Sequence, residues 1–218
     1  MFEMKKFDLA DAYDPGFGNC ERKSEMKEAI ILASNSPRRS QLLNQIGVDF
    51  VTDAPKIDEA LDEEDPVKMV KALSERKALA VAKRHEGKWV LGADTVVYYD
   101  GEILGKPSDP QEAYDMLCML SGRRHEVITG VTLLGGGDGG TGKIQFAETT
   151  AVWMYPHYRD VIRRYIESGE PMDKAGAYGI QGLGAILVEK IDGDYNNVVG
   201  LPVGRLYMEM IKAGILPV

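Results

Sequence analysis

Two arginines at the start of a predicted helix are the first residues in this chain that could do chemistry. Residues 30–39 read Ile-Ile-Leu-Ala-Ser-Asn-Ser-Pro-Arg-Arg, an apolar strand followed by Ser36 as an N-cap and Pro37 in the first helical turn. Backbone N–H groups and the helix dipole favour an anion at such a corner. Arg38 and Arg39 add two positive charges there, so the corner is predicted to bind a phosphate group.

Two charged residues in apolar surroundings are the next candidates. Asp94 lies in the middle of an apolar strand predicted over 89–97, where an ionised carboxylate is costly to bury unless it is paired or bound to a metal. Lys77 falls on the apolar stripe of a helix predicted over 66–84. A lysine in that position either extends to the surface or points into a cleft, and the other polar groups favour the cleft.

A glycine-rich but apolar segment, residues 173–182, suits close approach of the backbone to a flat ligand. Within it, Gln181 offers both an amide donor and an acceptor, which match the edge of a nucleobase. Lys106 follows a predicted hairpin, between Gly105 and Pro107. Taken alone, Lys106 would be an ordinary loop lysine and the segment a plain tight loop.

A second glycine-rich stretch, residues 137–143, reads Gly-Asp-Gly-Gly-Thr-Gly-Lys and resembles a phosphate-binding P-loop. The next residue is Ile144 rather than the Ser or Thr that would contact magnesium. The residues after the lysine alternate like a strand, whereas a P-loop lysine opens a helix. This stretch is therefore predicted to be a hairpin loop.

Strands and helices alternate around one central hairpin, which predicts an α/β protein with a mixed sheet. Asp-Pro pairs at 65–66 and 109–110 predict two capped helix starts. The helices are predicted over 37–46, 66–84, 110–121, 158–168 and 202–213, and the strands over 30–33, 50–52, 89–97, 125–134, 144–155 and 185–191.

Composition narrows the class of protein. The chain has 218 residues, and its net charge of −8 argues against general binding to nucleic acid or to an anionic membrane. No apolar run approaches the roughly 20 residues that span a bilayer, and the first residues lack the apolar core of a signal peptide. Cys20 and Cys118 give no disulfide or metal spacing, which favours a reducing cytoplasm. Residues 1–28 lack a clear period and are predicted to be an extension of a single domain over 29–218.

Together these motifs resemble those of the Maf family, the septum-formation-inhibitor proteins described as nucleoside triphosphate pyrophosphatases. The resemblance covers the chain from about residue 30 to its end, broken mainly by the loop 135–143. It implies an elongated, twisted mixed sheet flanked by helices, in two lobes with a central cleft, similar to the inosine-triphosphatase architecture. The motifs that carry it lie at residues 34–39, 74–78, 92–95, 105–107, 120–123, 173–182 and 199–202.

The resemblance also implies an activity. Family members cleave between the α- and β-phosphates of a nucleotide, in a housecleaning role linked to cell-division arrest. The branch that acts on dTTP and UTP looks closest, because Arg38, Thr95 and Gln181 match its base-selecting positions. Gln181 would pair with two groups of the pyrimidine edge, and Arg38 or Thr95 would donate to the remaining carbonyl.

The same resemblance assigns roles to the other candidates. Asp94 would accept the proton of the attacking water or hold a metal that activates it, and Glu59 would supply a second carboxylate for Mg²⁺ or Mn²⁺. The phosphates would be bound by Ser34, Arg39, Lys77 and Lys106. A homodimer with no stable nucleic-acid or membrane partner is implied as well.

Two alternatives remain open at this stage. One is a non-catalytic regulator of septum formation that binds a nucleotide or a nucleic acid. The other is a pyrophosphatase of the same design that acts on purine or modified nucleotides. The carboxylates Asp94 and Glu59 discriminate against the first, because a pure anion binder gains nothing from acids that face a phosphate.

Overall fold

Seven strands form one mixed sheet within residues 29–135 and 142–217, the part of the chain that the computed structural model describes. The strands are β1 (Ile30–Leu32), β2 (Phe50–Thr52), β3 (Val90–Tyr99), β4 (Glu102–Leu104), β5 (Arg124–Gly135), β6 (Gly142–Met154) and β7 (Val188–Asp192). Their order is β2-β1-β3-β5-β6-β7, with β4 also paired to β3. β1 runs parallel to β2 and β3, and the other pairs are antiparallel. The predicted α/β class with a mixed sheet is confirmed.

Six α-helices accompany the sheet in the described residues: α1 (Pro37–Gln45), α2 (Pro66–Ala82), α3 (Pro110–Leu120), α4 (Arg159–Glu167), α5 (Tyr195–Val199) and α6 (Val203–Lys212). Short 3₁₀ turns lie at Glu170–Asp173, Ala175–Ala177 and Gly182–Leu187. Within residues 29–135 and 142–217, no helix combines the length and the apolar character needed to cross a membrane. The predicted extension over 1–28 and residues 136–141 of the predicted loop lie outside the described residues.

Aspartate caps begin two helices as the Asp-Pro pairs predict. The Asp65 carboxylate accepts hydrogen bonds from two backbone N–H groups in the first turn of α2, and Asp109 accepts one in the first turn of α3. The prediction for Ser36 is only half right. Ser36 occupies the N-cap position of α1, but its hydroxyl caps no N–H of the described residues. Its own N–H instead donates to Ser34 Oγ at 3.1 Å.

Near the end of the chain, one predicted boundary needs correction and one helix was missed. The strand predicted over 185–191 begins only at Val188, because the preceding residues belong to the 3₁₀ turn Gly182–Leu187. The short helix α5 was not predicted. Asp194 caps it by accepting from the Asn196 N–H at 2.7 Å, which is a signal the sequence contained.

The hairpin between β5 and β6 settles the nature of the second glycine-rich stretch. Lys143 lies in β6 opposite Leu134 of β5, so a strand and not a helix follows the glycines. The hairpin prediction is confirmed, and the P-loop alternative is excluded on its own structural requirement.

Two large apolar clusters occupy different ends of the sheet. One joins β1, α1 and α6 through residues such as Leu32, Leu43 and Leu206. The other joins α3 and α4 to the glycine-rich segment 173–182 through residues such as Leu117 and Tyr178. The two clusters are the two lobes of the prediction, and β3 and β5 run through both.

Glycines let α2 lie unusually close to β3 and β5. A Cβ atom on Gly92 would lie 2.1 Å from the carbonyl oxygen of Ser74, and one on Gly130 would lie 2.3 Å from that of Val70. No other residue type fits at either position without moving the helix. This close approach brings the middle of α2 against the centre of β3.

The centre of β3 is also open along one edge. β5 pairs with β3 from Val90 to Tyr98, while β1 and β4 share the opposite edge. β1 covers Val90 and Leu91, and β4 covers the edge from Val97 onward. Between them, no strand of the described residues pairs with 92–96, and a cleft opens at this gap.

Candidate active site

The cleft beside β3 has a volume of about 1230 Å³. Its lining brings together every site residue that the sequence suggested: Ser34, Arg38, Arg39, Glu59, Lys77, Asp94, Thr95, Lys106 and Gln181. These residues come from six separate segments of the chain. Their convergence places them where one ligand can reach them all, while the role of each stays a prediction.

A buried ion pair lies at the base of the cleft. Lys77 Nζ lies 2.6 Å from Asp94 Oδ1 and 3.0 Å from Glu59 Oε1. The side chains of Lys77 and Asp94 are each 10% exposed, whereas that of Glu59 is 55% exposed. Lys77 therefore points into the cleft rather than extending to the surface, and Asp94 has the partner that its burial requires.

The electrostatics of the cleft favour ionised carboxylates. Burial acts to raise the pKa of Glu59, but the charges of Lys77, Lys106 and Arg39 outweigh it, and the net pKa is lowered. Burial lowers the pKa of Arg39, while the charge of Asp94 opposes that shift. The positive charges of the site thus favour the ionised form of Glu59.

Arg39 ties three parts of the site together. Its Nε donates to the carbonyl of Gly200 at 2.9 Å, and its two Nη atoms donate to Ser34 Oγ and Thr95 Oγ1, each at 3.1 Å. These bonds use three of the five N–H groups of the guanidinium, leaving two for a ligand. The sequence did not indicate this bracing function.

Thr95 is committed more fully than the sequence suggested. Thr95 Oγ1 accepts from Arg39 and lies 2.9 Å from Thr129 Oγ1. Thr129 gives its single hydroxyl proton to the carbonyl of Asn197, so Thr95 must be the donor in the pair of threonines. In this structure the Thr95 hydroxyl proton is therefore directed at Thr129, and the assignment of Thr95 to the base stays a prediction.

Arg38 reaches across the cleft to a partner that the sequence did not reveal. Its Nη1 lies 2.7 Å from Asp173 Oδ2, and its Nη2 donates to the Asp173 carbonyl. Lys174 Nζ lies 2.8 Å from the other oxygen of the same carboxylate. Asp173 therefore links α1 of one lobe to the glycine-rich segment of the other.

Arg76 is a second residue that sequence reasoning missed. Its Nη1 donates to the carbonyls of Asp58 and Ala60, at 2.8 and 3.1 Å. These two carbonyls flank Glu59, so Arg76 pins the loop that carries Glu59 beside Lys77. Its place next to Lys77 in the sequence was a hint, but a bond to backbone carbonyls leaves no mark in the sequence of the loop.

A cleft that combines arginines, lysines and carboxylates at the open edge of a mixed sheet defines the class: a protein that binds a phosphate-bearing ligand next to acids able to take up a proton. Comparison with known families makes this specific. A family model described as Maf-like protein matches residues 29–213, and the chain belongs to that family.

Relatives in several bacteria share about half of their sequence with this chain. A protein of Symbiobacterium thermophilum named dTTP/UTP pyrophosphatase is 50% identical, over 86% of this chain and 95% of its own. Proteins of the same name from Agathobacter rectalis and Halalkalibacterium halodurans are 51% and 52% identical, over 85% and 81% of this chain and 98% and 91% of their own. Among solved structures, the Staphylococcus aureus Ham1 protein matches with a TM-score of 0.36 and 15% identity, over 58% of this chain and 72% of that one.

Proposed function

We propose that this protein hydrolyses dTTP and UTP between the α- and β-phosphates, releasing the nucleoside monophosphate and pyrophosphate. The observation that carries the proposal is the contact of Lys77 with both Asp94 and Glu59 inside a cleft lined by Arg39 and Lys106. The names of relatives at about 50% identity support the same substrates.

The positively charged side chains of the cleft bind the triphosphate. Lys77, Lys106 and the two free N–H groups of Arg39 bind phosphate oxygens, and Ser34 adds a hydroxyl. At about 4 Å, one such charge pair contributes about 1 kcal/mol in water and about 4 kcal/mol at an effective dielectric of 20. Burial of Arg39 and Lys77 therefore strengthens their hold on charge that moves toward the leaving pyrophosphate.

The carboxylate of Asp94 activates the attacking water. The water oxygen attacks the α-phosphorus, and the bond from that phosphorus to the bridging oxygen breaks, so that the electron pair leaves with pyrophosphate. The water gives up a proton, and Asp94 accepts it. Lys77 holds the Asp94 carboxylate in position at 2.6 Å before the reaction.

The donor set also suits a divalent cation. The described residues contain no cluster of three or more His, Cys, Asp or Glu side chains around one point. Mg²⁺ usually needs only one or two carboxylates, with phosphate oxygens and waters completing its shell. Asp94 and Glu59 fit that pattern for Mg²⁺ or Mn²⁺, and the bound ion would supply charge neutralisation and activation of the water.

Selection of the base falls to the glycine-rich segment. Thymine and uracil present a carbonyl, a ring N–H and a second carbonyl along one edge. The Gln181 amide donates to one carbonyl and accepts from the N–H, and Arg38 donates to the other carbonyl. Cytosine replaces one carbonyl with an amine, which leaves a donor facing a donor.

The proposal includes a single domain over 29–218 that works in the cytoplasm as a homodimer, without a stable nucleic-acid partner.

Pyrophosphate release from a panel of nucleoside triphosphates, with Mg²⁺, with Mn²⁺ and with EDTA, tests the proposal. We expect metal-dependent release that is greatest with dTTP and UTP. Greatest release from a purine or modified nucleotide would keep the chemistry and overturn the base assignment. Absence of release from every nucleotide by folded protein would favour a regulator that binds without turnover.

A further inference from the structure

We propose that Tyr165 and Glu170 are positioning residues for base selection, which hold the backbone on both sides of Gln181. The inference rests on the proposed function, because it assigns Gln181 to the base. Neither residue lines the cleft. Both lie behind the segment that does, so they act through Gln181 rather than on the substrate.

The Glu170 carboxylate accepts hydrogen bonds from the backbone that follows Gln181. Its Oε2 accepts from the Leu183 N–H at 2.9 Å, and its Oε1 accepts from the Gly184 N–H at 3.2 Å and the Tyr165 hydroxyl at 3.0 Å. Burial acts to raise the pKa of Glu170, but these backbone N–H groups outweigh it and the net pKa is lowered. An ionised carboxylate is a stronger acceptor than a neutral group, so the three bonds form a firm anchor.

The Tyr165 hydroxyl extends the anchor to the near side of Gln181. It accepts from the Gly179 N–H at 3.1 Å while it donates to Glu170. The Tyr165 ring is 3% exposed and belongs to the apolar cluster of α3 and α4. The backbone is therefore held two residues before and two residues after Gln181 by one hydroxyl–carboxylate pair, of which the tyrosine is buried.

Glycines in the segment are fitted to this anchor. Gly182 has a φ of +62°, and a Cβ there would lie 2.7 Å from Glu170 Oε2. A Cβ on Gly184 would lie 2.7 Å from the Tyr165 hydroxyl and 2.3 Å from the Gly179 carbonyl. The backbone thus lies so close to the clamp (Tyr165 and Glu170) that only glycine fits at residues 182 and 184, and this contact limits where the backbone of Gln181 can lie.

Gln181 itself depends on this support. Its side-chain amide makes no hydrogen bond with any described residue, so the hydrogen bonds that hold this residue in place are those of the neighbouring backbone. The clamp also reaches Arg38: the Glu170 carbonyl accepts from Lys174 Nζ at 2.6 Å, Lys174 contacts Asp173, and Asp173 binds Arg38. Both side chains proposed to bind the base are therefore placed by residues 165–174.

Loss of the clamp should alter selectivity more than turnover. Arg39, Lys77 and Asp94 lie on α1, α2 and β3, outside the segment that Tyr165 and Glu170 hold. A shift of Gln181 weakens its two hydrogen bonds to thymine and relaxes the clash with cytosine. A general loss of stability would instead lower the rates for all bases together.

The test compares dTTP with dCTP in Tyr165→Phe, which removes the hydroxyl and keeps the buried ring. We expect the ratio of kcat/KM for dTTP to that for dCTP to fall about tenfold, the factor that corresponds to loss of one hydrogen bond. The fall should come from a higher KM for dTTP, with kcat nearly unchanged. Tyr158→Phe is the matched control, because Tyr158 is 84% exposed and lies just before α4. Its ratio should equal that of the wild type.

A second variant and a binding measurement make the result decisive. Glu170→Gln replaces one accepting oxygen by an amide NH2 group, a donor that faces a donor, and should lower the ratio in the same direction. It tests the clamp independently if Tyr165→Phe does not fold. An unchanged ratio in folded variants overturns the clamp. If the wild type releases no pyrophosphate, the proposed function fails, and calorimetric binding of the α,β-methylene analogues of dTTP and dCTP decides the clamp by the same ratio. A wild type that binds the two analogues equally also overturns it.

Discussion

At the scale of single residues, the lysine between two acids carries the proposed chemistry. Lys77 holds Asp94 at 2.6 Å, and the carboxylate is largely buried at the base of the cleft. Asp94→Asn keeps the shape of the side chain but removes its ability to take up a proton. We expect kcat to fall by about 10²–10⁴-fold, the range typical of a lost general base.

The control for this change is Asp100→Asn. Asp100 lies in the exposed turn between β3 and β4 with a φ of 48°, a conformation that asparagine tolerates. It should keep full activity. Pyrophosphate release and thermal unfolding are measured for both variants. Near-normal turnover by folded Asp94→Asn would remove Asp94 from the mechanism.

At the scale of elements, the distance between α2 and the sheet decides whether Lys77 reaches Asp94. A methyl group on Gly92 would meet the Ser74 carbonyl at 2.1 Å, so Gly92→Ala must push the helix outward. We expect a loss of about 1–3 kcal/mol in unfolding free energy, as for other overpacked sites. We also expect a fall in kcat, because Lys77 moves with the helix.

Gly204→Ala is the matched control for Gly92→Ala. Gly204 lies in α6 with open space where a Cβ would stand, so alanine should leave activity unchanged and stabilise the helix by about 0.5–1 kcal/mol. Urea unfolding and steady-state kinetics are measured on both. Unaltered stability and kcat in Gly92→Ala would show that the close approach of α2 does not matter.

The loop that carries Glu59 is the second element whose position can be tested, because a single side chain holds it. Arg76 binds the carbonyls on both sides of Glu59. Arg76→Met should release the loop, and we expect about tenfold more Mg²⁺ to be needed for half-maximal activity, as for other residues that orient metal ligands. Arg159→Met, at an exposed position in the first turn of α4, is the control. A Mg²⁺ requirement equal to that of the wild type would rule out this support.

Local chemistry explains which features the sequence predicted. The Asp-Pro caps at 65–66 and 109–110 and the alternation of β6 depend on neighbouring residues, and the structure has them. Arg38 and Asp173 are 135 residues apart, and no local pattern links them. The same holds for the proton of Thr95, whose donor role depends on Thr129 and Asn197. Residue types pointed to the site, but its internal hydrogen bonds follow from the fold.

At the scale of the whole molecule, a buried histidine couples stability to pH. His125 of β5 is 1% exposed, and its Nε2 lies 2.6 Å from the hydroxyl of Tyr178, which lines the cleft. Burial is the main reason that the pKa of His125 is lowered to about 4. In the unfolded chain the same side chain titrates near 6.5.

This difference sets the sign of the pH dependence. Between about pH 6.5 and pH 4 the unfolded chain binds a proton at His125 that the folded protein does not, so stability falls as the pH falls. From pH 7 to pH 5 the loss should be about 2 kcal/mol. Urea unfolding at each pH measures it. In His125→Gln, which cannot titrate, most of this loss should disappear, and an equal loss in the variant would place the titrating group elsewhere. Because Tyr178 binds His125 and belongs to the apolar cluster of α3 and α4, acid should loosen that lobe before the lobe of β1, α1 and α6.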